Sequence, residues 1–129
     1  MGQNILGSLL MVLLLTCVLE ILVALVMKIY AKKAYILILL VNLLTNPLVN
    51  VIYAVGISYR DSIPIGKMYA EMECFRHWTG YEPIWLFLEI GVWCLEGFIY
   101  SKFREWIPHP WRYALMANLV SALAGVFLA

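Results

Sequence analysis

At 129 residues, 64% of them hydrophobic and only 13% charged, the chain is one domain's worth of sequence whose composition excludes an ordinary soluble domain. Mean hydropathy is +0.88, and apolar runs long enough to span hydrocarbon recur, so the lipid bilayer is the expected surrounding. A net charge of +1 without a basic stripe excludes a nucleic-acid partner, and three scattered cysteines make neither a disulfide framework nor a zinc site.

The pattern predicts an all-α integral membrane protein: a single domain over 1–129, with four transmembrane helices in a bundle at about 5–27, 34–57, 83–100 and 112–129. No internal repeat or low-complexity tract is evident. The first run, Ile5 to Met27, follows a stub, MGQN, that lacks Lys and Arg. It is too long for a signal-peptide core, and no small-residue cleavage site follows, so it is expected to be retained. Its acidic residue is Glu20, with Thr16 one turn earlier. Lys28, Lys32 and Lys33 close the span, flanked by Tyr30 and Tyr35 as interface anchors.

The second span carries VNLLTNPLVN, which places Asn42, Asn46 and Asn50 at i, i+4 and i+8 as one polar stripe. Pro47 removes a backbone donor and displaces the Leu43 carbonyl, which predicts a kink and an inward-turned face. Segment 58–82 is polar, and Met68, Met72 and Phe75 recur at helical spacing, predicting a short amphipathic surface helix. Within it, the run Glu73-Cys74-Phe75-Arg76-His77 puts Glu73 and His77 at i, i+4, a weak metal pair without a second His or Cys nearby.

The third span, LFLEIGVWCLEGFIY, holds two carboxylates seven residues apart. Seven residues is close to two helical turns, so Glu89 and Glu96 share a face, with Trp93 between them. Cys94 is expected to be a packing residue. After SKFREWIPHPW, the fourth span offers Asn118, Ser121 and Gly125. The Ser121-x-x-x-Gly125 pattern permits close helix contact, and this small-residue face is a candidate surface for a homo-oligomer.

Six of the nine Lys and Arg residues lie in the connections 28–33 and 101–112. The positive-inside rule then puts those connections in the cytosol and both termini and the 58–82 loop on the other side. Counting a rise of about 1.5 Å per residue from the cytosolic ends brings Glu20, Asn42, Glu96 and Asn118 to roughly one layer, ~6–12 Å deep. Thr16, Asn46 and Glu89 form a second layer at ~17–18 Å.

Each carboxylate at membrane depth costs roughly 2.5–3.5 kcal/mol to insert, more than interhelical hydrogen bonding alone would require. In a low-dielectric site a carboxyl group stays neutral unless a cation accompanies it, so such a site exchanges protons for cations. The expected function is therefore cation- or proton-linked transport or conduction. Glu20, Glu89 and Glu96 are the exchangeable ligands, and Asn42, Asn46 and Asn118 the neutral ones. Thr16, Asn50, Ser121 and Pro47 are supporting residues, and a bound cation is the one cofactor expected. The alternatives are an intramembrane enzyme using carboxylate or metal-assisted chemistry on a lipid-soluble substrate, and an accessory membrane subunit. A Ser-His-Asp arrangement is unsupported, because no His falls in an apolar span.

In size, in its four spans and in a first-helix glutamate followed by lysine (Glu20-x7-Lys28), the chain looks somewhat like the small multidrug resistance transporters. The likeness covers only residues 19–28. The long second connection, the asparagine stripe and Glu89/Glu96 depart from that family, and no residue roles are carried over.

Overall fold

The computed structural model describes residues 5–59, 76–77 and 83–128. Four helices follow in chain order: α1 (Ile5–Val26), α2 (Lys32–Tyr59), α3 (Pro83–Ser101) and α4 (Pro110–Leu128). Three of them, over Leu6–Val26, Lys32–Tyr59 and Pro83–Ser101, are long and apolar enough to cross a membrane. The fourth opens on Pro110-Trp111-Arg112 and carries Asn118 near its middle. The amphipathic helix expected in 58–82, and Glu73 with it, lie outside the described residues. His77 is exposed.

Packing follows the chain. α1 pairs with α2 and α3 with α4 as two hairpins, which close into a ring through α1–α4 and α2–α3 contacts. A ring of four helices leaves a central space, and how that space is filled differs along the bundle. Near the two short connections it is packed solid: Ala24, Ile29, Ala34, Ile38, Tyr100, Ile107, Tyr113 and Ala114 are all buried there. Away from the connections Pro83 is the one fully buried apolar side chain among the described residues, and large residues such as Leu6, Met11, Leu43, Val55 and Phe127 face outward. An apolar perimeter around a partly polar interior is the arrangement that hydrocarbon favours.

The connections end their helices differently. After α1, Lys28 takes φ 61°, Lys28 N donates to Leu25 O at 3.1 Å, and Ile29 N to Ala24 O at 2.9 Å. This is a Schellman turn with lysine at the position glycine usually takes. Tyr35 O–H seals it on the Ile29 carbonyl at 2.5 Å. After α3, turns from Lys102 N to Ile99 O (3.1 Å) and Phe103 N to Tyr100 O (2.9 Å) unwind the chain with no positive-φ residue other than glycine. The Lys33 ammonium lies 5.6 Å from the centre of the Trp106 ring, so the two basic connections meet at one end of the bundle.

Candidate functional site

The site begins where the packed core stops. Asn42 of α2 splits its amide hydrogens: Nδ2 donates to Glu20 Oε2 of α1 at 2.5 Å and to the Ile38 carbonyl of its own helix at 2.9 Å. The bond to the preceding turn fixes the amide, so that its second hydrogen aims across the hairpin. The other hairpin does the same. Asn118 Nδ2 of α4 donates to Glu96 Oε2 of α3 at 2.7 Å and to the Ala114 carbonyl at 2.8 Å. Glu20, Asn42 and Glu96 each expose 1% of their surface.

These two clamps are a structural repeat. In each the partners are 22 residues apart, and the second set, down to the backbone acceptor, lies 76 residues after the first. Between 19–49 and 95–125 only Leu19/Leu95, Glu20/Glu96, Leu39/Leu115, Asn42/Asn118 and Leu43/Leu119 are identical. A repeat carried by so few positions, three of the five leucine in a leucine-rich chain, has no visible period in the sequence. This is why none was expected.

The repeat surrounds one cavity of about 240 Å³. Its walls include six pairs at that offset: Thr16 with Val92, Glu20 with Glu96, Asn42 with Asn118, Thr45 with Ser121, Asn46 with Ala122, and Val49 with Gly125. Asn50 and Glu89 complete its polar lining together with Tyr53 and Trp85, and among the described residues no Lys, Arg or His lines it. The structure thus brings Glu20, Glu89, Glu96, Asn42, Asn46, Asn50, Asn118, Thr16 and Ser121 around a single space.

The two halves are not equivalent. Thr45 Oγ1 crosses between hairpins to donate to Glu96 Oε1 at 3.0 Å, whereas its counterpart Ser121 turns back to the Asn118 carbonyl at 3.1 Å. Glu96 therefore accepts two side-chain hydrogen bonds and Glu20 one. Tyr113 O–H donates to the Glu20 backbone carbonyl at 3.0 Å. Glu89 occupies the position that corresponds to Leu13; it is half-buried and has no hydrogen-bond partner among the described residues. Asn50 Nδ2 is spent on Asn46, on its carbonyl at 2.9 Å and its Oδ1 at 3.1 Å. The amide hydrogens of Asn42 and Asn118 and the hydroxyls of Thr45 and Ser121 are all committed, while the Thr16 hydroxyl and the Asn46 amide also line the cavity.

Several expectations are corrected. Pro47 does not line the cavity and is exposed; it stands about 140° around the helix from Asn42, on the outer side. α2 runs through it unbroken from Lys32 to Tyr59. Cys94 is exposed instead of packed. Ser121 and Gly125 border the cavity, so the small-residue face of α4 is an inner wall. Among the described residues no three His, Cys, Asp or Glu side chains come together as a metal site.

Three residues of the site region have no precedent in the sequence reading. Thr45 sits one turn from Asn42, a spacing that could have flagged it. Tyr113 and Tyr100 read as residues near span ends, yet both are fully buried, their rings tilted together at 5.4 Å between centroids. The Tyr100 hydroxyl has no partner among the described residues.

A second concavity of about 500 Å³ runs along the outer side of α3 and α4. It is lined mainly by Leu, Ile, Val, Phe and Trp, and it shares Trp85, Glu89, Asn118 and Ala122 with the polar cavity. Trp93 belongs to this groove and not to the cavity. Its ring stands edge-on to Trp111, 6.3 Å between centroids, and its indole N–H donates to the Trp111 carbonyl at 3.2 Å. No protein-family model, curated protein or solved structure matches the chain.

Proposed function

We propose that the chain is a four-span membrane protein whose central cavity binds a cation in exchange for protons, in the service of transport or conduction. α4 is the fourth span in this reading, since it closes the ring between α1 and α3. The basic connections 28–33 and 101–112 face the cytosol, and both termini and the 58–82 loop face the other side. The meeting of the two connections at one end through Lys33 and Trp106 supports that topology.

The observation that carries the proposal is the pair of carboxylates, Glu20 and Glu96, each clamped by an asparagine at the floor of a cavity with no basic side chain among its described lining residues. A carboxyl group there is neutral when it holds a proton; when the proton leaves, a cation must take its place or a charge is stranded in low dielectric. The same oxygens serve both occupants, so protons and cations compete. The carboxylates act one or two at a time, because no compact three-acid cluster exists among the described residues.

The test is cation flux in proteoliposomes across a pH gradient, with sodium, potassium and methylammonium as probes. At least one should be carried in a proton-coupled manner, with flux falling as the medium is acidified and abolished in Glu20→Gln and Glu96→Gln proteins that still fold. Flux of none, or flux indifferent to both substitutions, would overturn the proposal.

A further inference from the structure

We infer that the cavity's ligand is an amphipathic amine, its ammonium held by the carboxylates and its single hydrocarbon chain lying in the α3–α4 groove; this rests on the proposal that the cavity binds a cation. The argument starts from the junction. Trp85, Glu89, Asn118 and Ala122 line both spaces, so an object leaving the cavity at this wall enters the groove directly. At about 240 Å³ the polar cavity is smaller than most small-molecule sites, while the groove, at about 500 Å³, is of ordinary size for one. Neither fits a whole amphiphile alone; together they match one in both size and polarity.

Charge and hydrogen bonding select the head. The Asn42 and Asn118 amide hydrogens and the Thr45 and Ser121 hydroxyls are already committed to the carboxylates or to helix carbonyls. Three carboxyl groups and no basic side chain among the described lining residues suit a protonated amine with three donors and disfavour an anion. Glu89, without a hydrogen-bond partner among the described residues and with Trp85 beside it, stands where the ammonium would pass from groove to cavity.

The groove selects the tail. Leu86, Ile90, Leu115, Leu119 and Phe127 line it and are exposed, so it opens laterally toward the bilayer. A lipid chain resting there without a polar end would leave Glu89 facing hydrocarbon, an expensive arrangement for a carboxyl group. An amine at the head of the chain removes that cost.

The experiment uses the full chain in phosphatidylcholine nanodiscs and a dodecylamine brominated along its chain, whose bromine quenches the groove tryptophans Trp85 and Trp93. Quenching should saturate and be reversed by unlabelled dodecylamine at concentrations at least tenfold lower than methylamine requires. Dodecanol and dodecanoate should not compete. Leu119→Phe and Ala122→Phe, which narrow the groove and the junction, should each weaken the brominated amine at least tenfold with unchanged thermal unfolding. Dodecanol competing as well as dodecylamine would overturn the inference and reduce the groove to a lipid-facing surface. Proton-coupled flux inhibited no more strongly by dodecylamine than by methylamine would overturn the chain site while leaving cation exchange intact. Absence of both flux and amine binding would overturn the two together.

Discussion

The hairpins α1–α2 and α3–α4 place a glutamate and an asparagine at the same spacing and in the same bonds, yet they bind those glutamates to unequal degrees. Glu96 is held at both oxygens, by Asn118 within its hairpin and by Thr45 from the other. Glu20 is held at one oxygen, by Asn42, because Ser121 spends its hydroxyl on its own helix. The second hairpin also carries Glu89 where the first has Leu13, and a groove opens along its outer side. The shared scaffold holds one acid tightly and one loosely: Glu96 knits the hairpins together, and under the proposed exchange Glu20 is the freer of the two to change its occupant.

Removing each acid is the most forceful way to break that comparison. Glu96→Ala strands the Asn118 amide and the Thr45 hydroxyl in the interior, at roughly 1–3 kcal/mol for a buried group left unpaired. Glu20→Ala strands Asn42 alone. Unfolding in mixed micelles should therefore show a loss of about 2–3 kcal/mol for Glu96→Ala and about half that for Glu20→Ala. Equal losses would deny the asymmetry.

A comparable effect is expected at Gly97, whose counterpart in the first hairpin is Ile21. A Cβ at Gly97 would overlap the Trp111 ring, which lies directly on the helix there. Gly97→Ala should cost about 1–3 kcal/mol in the same assay, as overpacking does in other cores. The Trp93–Trp111 contact would shift with it, read as a change in near-ultraviolet circular dichroism.

Smaller still is the hydroxyl pair. Thr45→Val should cost about 0.6–1.7 kcal/mol, the range for interhelical hydrogen bonds in membranes. Ser121→Ala, which removes only a bond within α4, should be close to neutral. The gentlest change concerns the connections. Lys28 holds a left-handed backbone that glycine adopts without penalty, so Lys28→Gly should stabilise by up to about 1 kcal/mol. No residue other than glycine has positive φ in the connection 101–112, so it offers no such gain.

The four helices are legible in the sequence because long apolar runs are rare in other settings, and polar residues within them have few places to go. Glu20, Asn42, Glu96 and Asn118 could be placed in one layer by counting residues, since helical rise is nearly constant. Counting along the axis says less about rotation, however. Pro47 follows Asn46 in the chain and still faces outward, while Thr45, passed over among three asparagines, reaches Glu96 on α3. The groove depends on how far α3 and α4 separate along their outer sides, which no single helix encodes. Tyr100 and Tyr113 illustrate the same limit: they stand near span ends, and four helices converging on the two connections bury both.

The central claim is that protons and a cation share the Glu20 and Glu96 oxygens, and proton release measures it most directly. Purified protein in weakly buffered detergent near pH 7, titrated with the cation that supports flux, should release protons in a saturable manner. The account predicts that Glu20→Gln and Glu96→Gln each reduce that release and that the double substitution abolishes it. Release of the same size from the doubly substituted protein, or cation binding with no release from the native one, would contradict it.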